Sequence, residues 1–164
     1  MDRQLSAQLA RVLDPDPLMR LDAAERLGAL GHLGEEAGAA LINALRDEEW
    51  RVAAAAATSL GRLADRRAVI PLCQQLGHPK TEVRRAAAGA LSAIGDGQAT
   101  ASLIMALDAE RDGEAKRLLV AALGNVGDDR ALAPLKRLSG DPHWAVRREA
   151  TAASAKLLAR RNKG

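Results

Sequence analysis

A short phrase recurs five times along this 164-residue chain, and its period constrains the fold more than any other feature. Each copy has an anchor residue, acidic in four of the five, then an apolar residue five places later and usually a basic residue after that. Successive anchors lie 33, 31, 32 and 31 residues apart. A period in that range is typical of a solenoid, in which each unit packs on its neighbours. The anchors are Asp14, Asp47, His78, Glu110 and Asp141.

The apolar spacing after each anchor predicts an α-helix, which we call the first helix. After Asp47, for example, Val52, Ala56, Leu60 and Leu63 follow at steps of four, four and three. Such spacing makes one stripe on a helix and cannot line one face of a strand. A second helix then leads to the next anchor. The sequence therefore predicts an all-α fold, an α–α superhelix of about five short hairpins and about ten helices.

The anchors divide the chain into repeats within one predicted domain, residues 1–164. Leu9 and Leu13 before Asp14 are matched with Leu41 and Leu45 before Asp47, so the chain is expected to open on a lone second helix. The predicted segments are a half-repeat at 1–13, repeats at 14–46, 47–77, 78–109 and 110–140, and a terminal half-repeat at 141–164.

Composition indicates a cytoplasmic protein without a cofactor. A single cysteine excludes an intramolecular disulfide framework and a thiolate metal cluster, and Cys73 is expected to be a packing residue. None of His32, His78 and His143 belongs to a His-Glu-x-x-His motif, so we predict no metal site. The N-terminus does not resemble a signal peptide, and no apolar run of about 18 residues could span a membrane. We expect no enzymatic activity.

Two segments carry a resemblance to a known family. They are Gly127-Asp128-Asp129-Arg130-Ala131-Leu132-Ala133-Pro134-Leu135 and Asp141-Pro142-His143-Trp144-Ala145-Val146-Arg147. Both resemble the short HEAT-like repeats of the phycobilin-lyase type, and the resemblance extends over nearly the whole chain. It implies a HEAT-like solenoid in which the second helices line the concave surface. Because scaffolds, lyase subunits and regulators share this repeat, the fold by itself does not imply an activity.

This resemblance leads to a predicted contact row for an unidentified protein partner. One register of the second helices reads Asn43, Gln74, Met105 and Arg137, and Ser102 lies three places before Met105. Small and polar side chains in a row would form a shallow groove for a helix or an extended segment. We therefore predict a non-catalytic interaction scaffold, either a monomer or an end-to-end homodimer.

Two alternatives stay open. Residues 1–82 hold 10 basic and 12 acidic side chains, a net charge of −2, whereas residues 83–164 hold 14 and 9, a net charge of +5. A basic stripe in the second half could contact nucleic-acid phosphates. Against this alternative, the stripe begins on first helices, and no aromatic residue is expected to be available for base stacking. The candidate phosphate contacts are Arg85, Arg117, Arg148, Arg160 and Arg161. The second alternative, suggested by the resemblance alone, is a subunit of a bilin chromophore lyase.

The charged phrase itself is predicted to be structural. An acidic anchor can cap its turn and accept hydrogen bonds from a basic residue of its own or a neighbouring repeat, which forms a ladder. Ala53 stands where arginine is expected, and His78 replaces the acidic anchor, so the ladder should be weakest between repeats 2 and 3. Trp50 and Trp144 occupy equivalent positions, and both are expected to pack against the preceding helix pair.

Overall fold

The computed structural model describes residues 3–30 and 34–163, which form ten α-helices and no strand. The all-α prediction is confirmed. None of the helices in these ranges is long and apolar enough to cross a membrane. The helices are α1 (Arg3–Arg11), α2 (Pro17–Ala29), α3 (Gly34–Ala44), α4 (Trp50–Leu63), α5 (Val69–Gln75), α6 (Thr81–Ile94), α7 (Thr100–Ala109), α8 (Gly113–Val126), α9 (Leu132–Arg137) and α10 (Trp144–Arg161). Short 3₁₀ turns precede α5, α7 and α9, and another follows α9.

Local signals set the ends of these helices. The carboxylate of Glu49 accepts a hydrogen bond from the Arg51 N–H and so caps the start of α4. At the other end, α4 stops at Ala64, which has φ of 51°, and α6 stops at Gly95, which has φ of 73°. Glycine adopts this left-handed conformation at little cost, whereas alanine is strained there by about 1 kcal/mol. Helix α6 therefore ends with less backbone strain at Gly95 than α4 does at Ala64.

The helices group into five complete hairpins. Each second helix packs more extensively on the first helix that follows it than on the one before it, so α3 pairs with α4 and α5 with α6. The pairs are α1–α2, α3–α4, α5–α6, α7–α8 and α9–α10. Each anchor residue therefore lies in the turn within a hairpin, and the hairpin boundaries are shifted by one helix from segments that begin at the anchors.

The first helices form the more closely spaced of the two layers. A Cβ added at Gly61 would lie 2.8 Å from the Cα of Ala90, and one added at Gly124 would lie 3.0 Å from the Cα of Ala153. The hydroxyl of Ser59 donates to the carbonyl oxygen of Ala24 across the same kind of contact, at 2.9 Å. Second helices of successive hairpins make far fewer contacts with one another.

This difference in spacing decides which layer is concave. A curved two-layer stack is shorter on its inner side, so the helices of the inner layer lie closer together. The first helices α2, α4, α6, α8 and α10 therefore line the concave face. The expectation that the second helices line this face was wrong, because it followed the resemblance and did not consider how closely the small residues let neighbouring first helices approach.

The core lies between the two layers and is built from leucine and alanine. A fully buried leucine recurs on the first helix of each of the first four hairpins, and another recurs on the second helix of each of the last four. The fifth hairpin has Ser154 at the first-helix position, where the stack ends. The buried leucines are Leu27, Leu60, Leu91 and Leu123 on first helices, and Leu41, Leu72, Leu103 and Leu135 on second helices.

At the N-terminal end the predicted register was wrong by one residue. Val12 is buried, whereas the side chain of Leu13 is 80% exposed. Val12 lies two places before its anchor, as the buried Leu45 does, so Val12 and not Leu13 is the structural equivalent of Leu45. The one-residue error arose because Leu13 was aligned with Leu45 by residue type and not by distance from the anchor.

Candidate functional site

An ion-pair ladder joins neighbouring hairpins along one side of the stack. Arg20 donates from Nε and Nη2 to the two carboxylate oxygens of Asp47, at 2.7 and 2.8 Å. Arg84 binds Glu110 in the same two-pronged way, at 2.7 and 2.9 Å. The third rung is a single bond of 3.0 Å from Lys116 to Asp141. Each rung connects a first helix to the turn of the next hairpin, so the ladder fixes the spacing of hairpins.

These rungs lower the pKa of the acidic partners. The bonds from Arg84 lower the pKa of Glu110 against the opposing effect of burial. Burial acts to raise the pKa of Asp47 and of Asp141, but hydrogen bonds to each carboxylate outweigh it, and the pKa of each is lowered. In both cases the bonds come from the basic side chain of the rung and from a backbone N–H two residues later. The ladder carboxylates are therefore held ionised.

The rung between the second and third hairpins is missing on both sides. Ala53 has no charge to donate, and His78 has no carboxylate to accept. His78 nevertheless keeps the turn, because its Nδ1 accepts the Lys80 N–H at 3.0 Å as the acidic anchors accept theirs. The predicted gap in the ladder is confirmed.

Small side chains surround Gly89 in the middle of the concave face, and we call this surface the trough. Ala55 and Ala86 share one repeat position on α4 and α6, and Gly89 and Ala121 share another on α6 and α8. The same two positions hold Leu118 on α8 and Thr58 on α4, which border the trough. A Cβ added at Gly89 would meet no atom within 4 Å. Glycine inside a helix costs about 1 kcal/mol relative to alanine, and packing within the chain does not require it here. The space above Gly89 is therefore open for another molecule.

The predicted contact row lies on the opposite, outer layer. Asn43, Gln74, Met105 and Arg137 are all exposed, and 74% of Met105 is accessible. Arg137 donates to Asp108 at 3.0 Å. The structure places the four residues on one exposed layer, and their part in binding stays a prediction.

Two further residues qualify this outer row. Ser102 is half-buried and its side chain hydrogen-bonds the thiol of Cys73, so it is not freely available to a partner bound on this layer. Sequence reasoning missed Ile70, which is 56% exposed one turn before Gln74 on α5. The sequence does carry a signal for this exposed isoleucine, because the equivalent position on α3, α7 and α9 is alanine.

Most of the predicted phosphate contacts already have partners. Arg85 binds Asp112 with bonds of 2.8 to 3.1 Å, and Arg117 binds Glu114 at 2.7 Å. Arg160 donates to the carbonyl oxygens of Gly124 and Asn125 at the end of α8. Arg161 lines a hollow with the acidic Asp128 and Asp129. These arginines therefore do not form a stripe of free positive charge.

The two tryptophans are not equivalent in the structure. Trp50 is half-buried, whereas Trp144 is 62% exposed and carries the guanidinium of Arg148 over its ring at 4.9 Å. The expectation that Trp144 packs against the preceding helix pair was wrong. Its ring lies against Arg148, one turn further along α10, and not between helices. An exposed aromatic side chain is therefore available, contrary to the sequence argument.

The groups that could support catalysis are engaged in structural contacts. Burial raises the pKa of the Cys73 thiol, which disfavours the reactive thiolate. His78 and His143 contact the turns that they occupy, and His32 lies outside the described residues. Within residues 3–30 and 34–163, no three His, Cys, Asp or Glu side chains are grouped so as to hold a metal ion.

Comparison with known families and structures agrees with this architecture. The HEAT repeats family matches residues 38–119, and the PBS lyase HEAT-like repeat matches residues 19–47 and 115–141. A chain from the complex of CpcE and CpcF of phycocyanin lyase from Nostoc sp. is 28% identical, with a TM-score of 0.86. The match covers 96% of this chain and 66% of that chain, which is just under two thirds of its length.

Designed armadillo repeat proteins are also similar in fold. One is 22% identical with a TM-score of 0.71, and the match covers 94% of this chain and 82% of that chain. Another, in complex with the peptide (KR)4, is 19% identical with a TM-score of 0.72, covering 93% and 81% of the two chains. A search of curated protein sequences finds no significant match. The expected resemblance to HEAT-like repeats is confirmed.

Proposed function

The chain belongs to the HEAT repeat family, and from that premise we propose that it is a non-catalytic scaffold whose protein partner docks on the concave face. The observation that carries this proposal is the open trough above Gly89. Five first helices run side by side there, and their close packing preforms the surface. A preformed surface loses little conformational entropy on binding, which favours affinity.

The small side chains of the trough favour a polypeptide over a compact ligand. Around Gly89, Ala55, Ala86 and Ala121 leave a shallow surface that does not enclose a small molecule. A helix or an extended segment could bring its backbone close to Gly89, where any side chain would keep it away. The similar structures include the complex of CpcE and CpcF and a designed armadillo repeat protein in complex with the peptide (KR)4, which supports this proposal.

Site-specific photocrosslinking in cells tests the proposal directly. A photoreactive residue at position 89 should capture a defined partner, and one at position 74 on the outer layer serves as the matched control. The variant Gly89→Arg should abolish co-purification of that partner while the protein stays folded, since nothing occupies the space above Gly89. Capture through position 74 alone would instead indicate that the partner binds the outer row of Asn43, Gln74, Met105 and Arg137. Capture at neither position would refute the scaffold function.

A second candidate function is carried by the similarity to the phycocyanin-lyase complex. In that case the chain would act as a subunit of a chromophore lyase and present a bilin or its acceptor protein. Titration with a free bilin should then shift the absorbance of the chromophore. An unchanged bilin spectrum at concentrations well above that of the protein would eliminate this candidate and leave the scaffold proposal intact.

A further inference from the structure

The last hairpin has a face that is covered in every earlier hairpin. On α8, the stripe of Leu119, Val120 and Leu123 is buried against α10. On α10, the corresponding residues are Ala150, Thr151 and Ser154, and they border an open groove of about 480 Å³ that extends to α9. The apolar part of the groove is formed by Leu132, Leu135, Ala150, Ala155 and Leu158.

One end of this groove holds an arginine in the pose of a ladder residue. Arg147 donates from Nη1 to the carbonyl oxygens of Asp141 and Pro142, at 2.7 and 3.1 Å. Arg20 and Arg84 use Nη1 in the same way, each on the carbonyl oxygens of its own anchor and the following proline. Their Nε and Nη2 then bind the carboxylate of the next hairpin.

The corresponding edge of Arg147 is unoccupied by a carboxylate. Among the described residues no Asp or Glu pairs with its Nε and Nη2, although the two backbone bonds already orient the guanidinium. A planar guanidinium held in this way is suited to a bidentate bond with a carboxylate. Lys136 lines the same groove and adds positive charge. The groove therefore combines apolar side chains with the hydroxyls of Ser139, Thr151 and Ser154, and it is positively charged at one end.

We propose that this end face docks an amphipathic helix of a protein partner, with the apolar side of the helix in the groove and a terminal Asp or Glu on Arg147. The contact would reproduce the way in which each hairpin receives the next one. It concerns a surface separate from the concave trough, so it holds or fails independently of the scaffold proposal.

A second copy of the chain fits this face less well than such a partner. Its N-terminal anchor Asp14 could supply a carboxylate, but Arg26 lies at the contact position that Ser59 and Ala90 hold in later hairpins. Those small residues meet glycine on the preceding helix. In a head-to-tail stack, the bulky Arg26 would meet Ala155, so the backbones could not approach to the same distance. A carboxylate is available to either occupant, and the bulk of Arg26 therefore favours a helix from another protein.

A peptide with the required chemistry is present in the chain itself. Residues 35–49 include most of α3 and end just after Asp47, which binds Arg20 in the intact protein. A fluorescent peptide of this sequence, titrated with the full chain, should bind saturably by fluorescence anisotropy. Arg147→Ala should weaken binding about tenfold or more, as expected for loss of a charge-assisted bidentate bond.

Matched variants make the experiment decisive. A peptide with Asp47→Asn should bind as weakly as the normal peptide binds Arg147→Ala, and combining the two changes should add little further loss. Arg148→Ala, at the neighbouring residue stacked on Trp144, should leave binding unchanged. Ala155→Trp should block the groove without removing the arginine. Circular dichroism confirms that each variant is folded.

Two results would overturn the proposal. One is peptide binding that is equally strong in the Arg147→Ala and Arg148→Ala variants, or no saturable binding at all. The other is concentration-dependent self-association of the chain that is lost in both Asp14→Asn and Arg147→Ala, which would assign the face to a second copy. Sedimentation equilibrium of the three proteins distinguishes these cases.

Discussion

Replacing Gly61 or Gly89 by alanine adds the same methyl group to neighbouring helices but should change the free energy of unfolding in opposite directions. Both residues lie inside helices, so alanine gains about 1 kcal/mol of helix propensity at either site. The new Cβ at position 61 would lie 2.8 Å from the Cα of Ala90, whereas the Cβ at position 89 would meet nothing within 4 Å.

The close contact at position 61 should outweigh the propensity gain. Carbon atoms pack at about 3.5–4.0 Å, so the backbones of α4 and α6 would have to separate, and overpacking of this kind costs about 1–3 kcal/mol. We expect Gly61→Ala to lose about 1 kcal/mol net, and Gly89→Ala to gain nearly the full 1 kcal/mol. In a chain of this size the melting temperature should fall and rise, respectively, by about 2–4 °C.

Urea and thermal unfolding followed by circular dichroism measure both changes. Gly124→Ala is a second test of the close contact, because its Cβ would lie 3.0 Å from the Cα of Ala153. If Gly61→Ala and Gly124→Ala stabilise the protein as much as Gly89→Ala does, the first helices are not closely packed. The assignment of the concave layer would then be wrong as well. A gain in stability with Gly89→Ala accompanied by weaker partner capture would instead support the trough.

Four further predictions concern the ladder and the nucleic-acid alternative. Arg84→Ala should lower the free energy of unfolding by about 2 kcal/mol, because it removes the basic partner of the Glu110 side chain, which is only 3% exposed. Arg147→Ala should lower it clearly less, and urea denaturation of the two variants measures the difference. The pKa of Glu110 is lowered in the folded state, so its ionised carboxylate contributes to the free energy of unfolding at pH values above its unfolded pKa of about 4.3. That contribution is lost as the pH falls through the folded pKa. The variant Glu110→Gln should therefore make stability less dependent on pH in the acid range. Combining Ala53→Arg with His78→Asp should show favourable coupling of about 1 kcal/mol in a double-mutant cycle, and additive effects would contradict the proposed rung. A fluorescent duplex should show no salt-dependent binding at low ionic strength; a steep salt dependence would revive the nucleic-acid alternative.

Helix formation and the charged ladder could be read from the order of residues because both depend on short separations or on the repeat period. The steps of four, four and three place a largely apolar stripe on each first helix, and most of its residues are buried. The same period pairs Arg20 with Asp47 across two hairpins. It also identified the missing rung, because Ala53 and His78 depart from the pattern together.

Equivalence of position was a weaker guide to the environment of a side chain. Trp50 and Trp144 share a repeat position, and each carries an arginine of its own helix over its ring, yet Trp50 is half-buried and Trp144 is exposed. Of the arginines predicted as phosphate contacts, Arg85, Arg117 and Arg148 share a repeat position, but Asp112 and Glu114 pair with the first two of these. Neighbours in space, and not the repeat alone, set the environment of each of these side chains.

The sequence by itself determined the repeat, the two kinds of helix and the residues of the ladder, because these follow from local spacing and helical geometry. Only the tertiary structure decided which layer is concave and which surfaces stay open. That choice depends on distances between helices, where Gly61 and Gly124 let neighbouring backbones approach. It also depends on where the stack ends, since the end leaves Arg147 oriented for a carboxylate that the described chain does not supply.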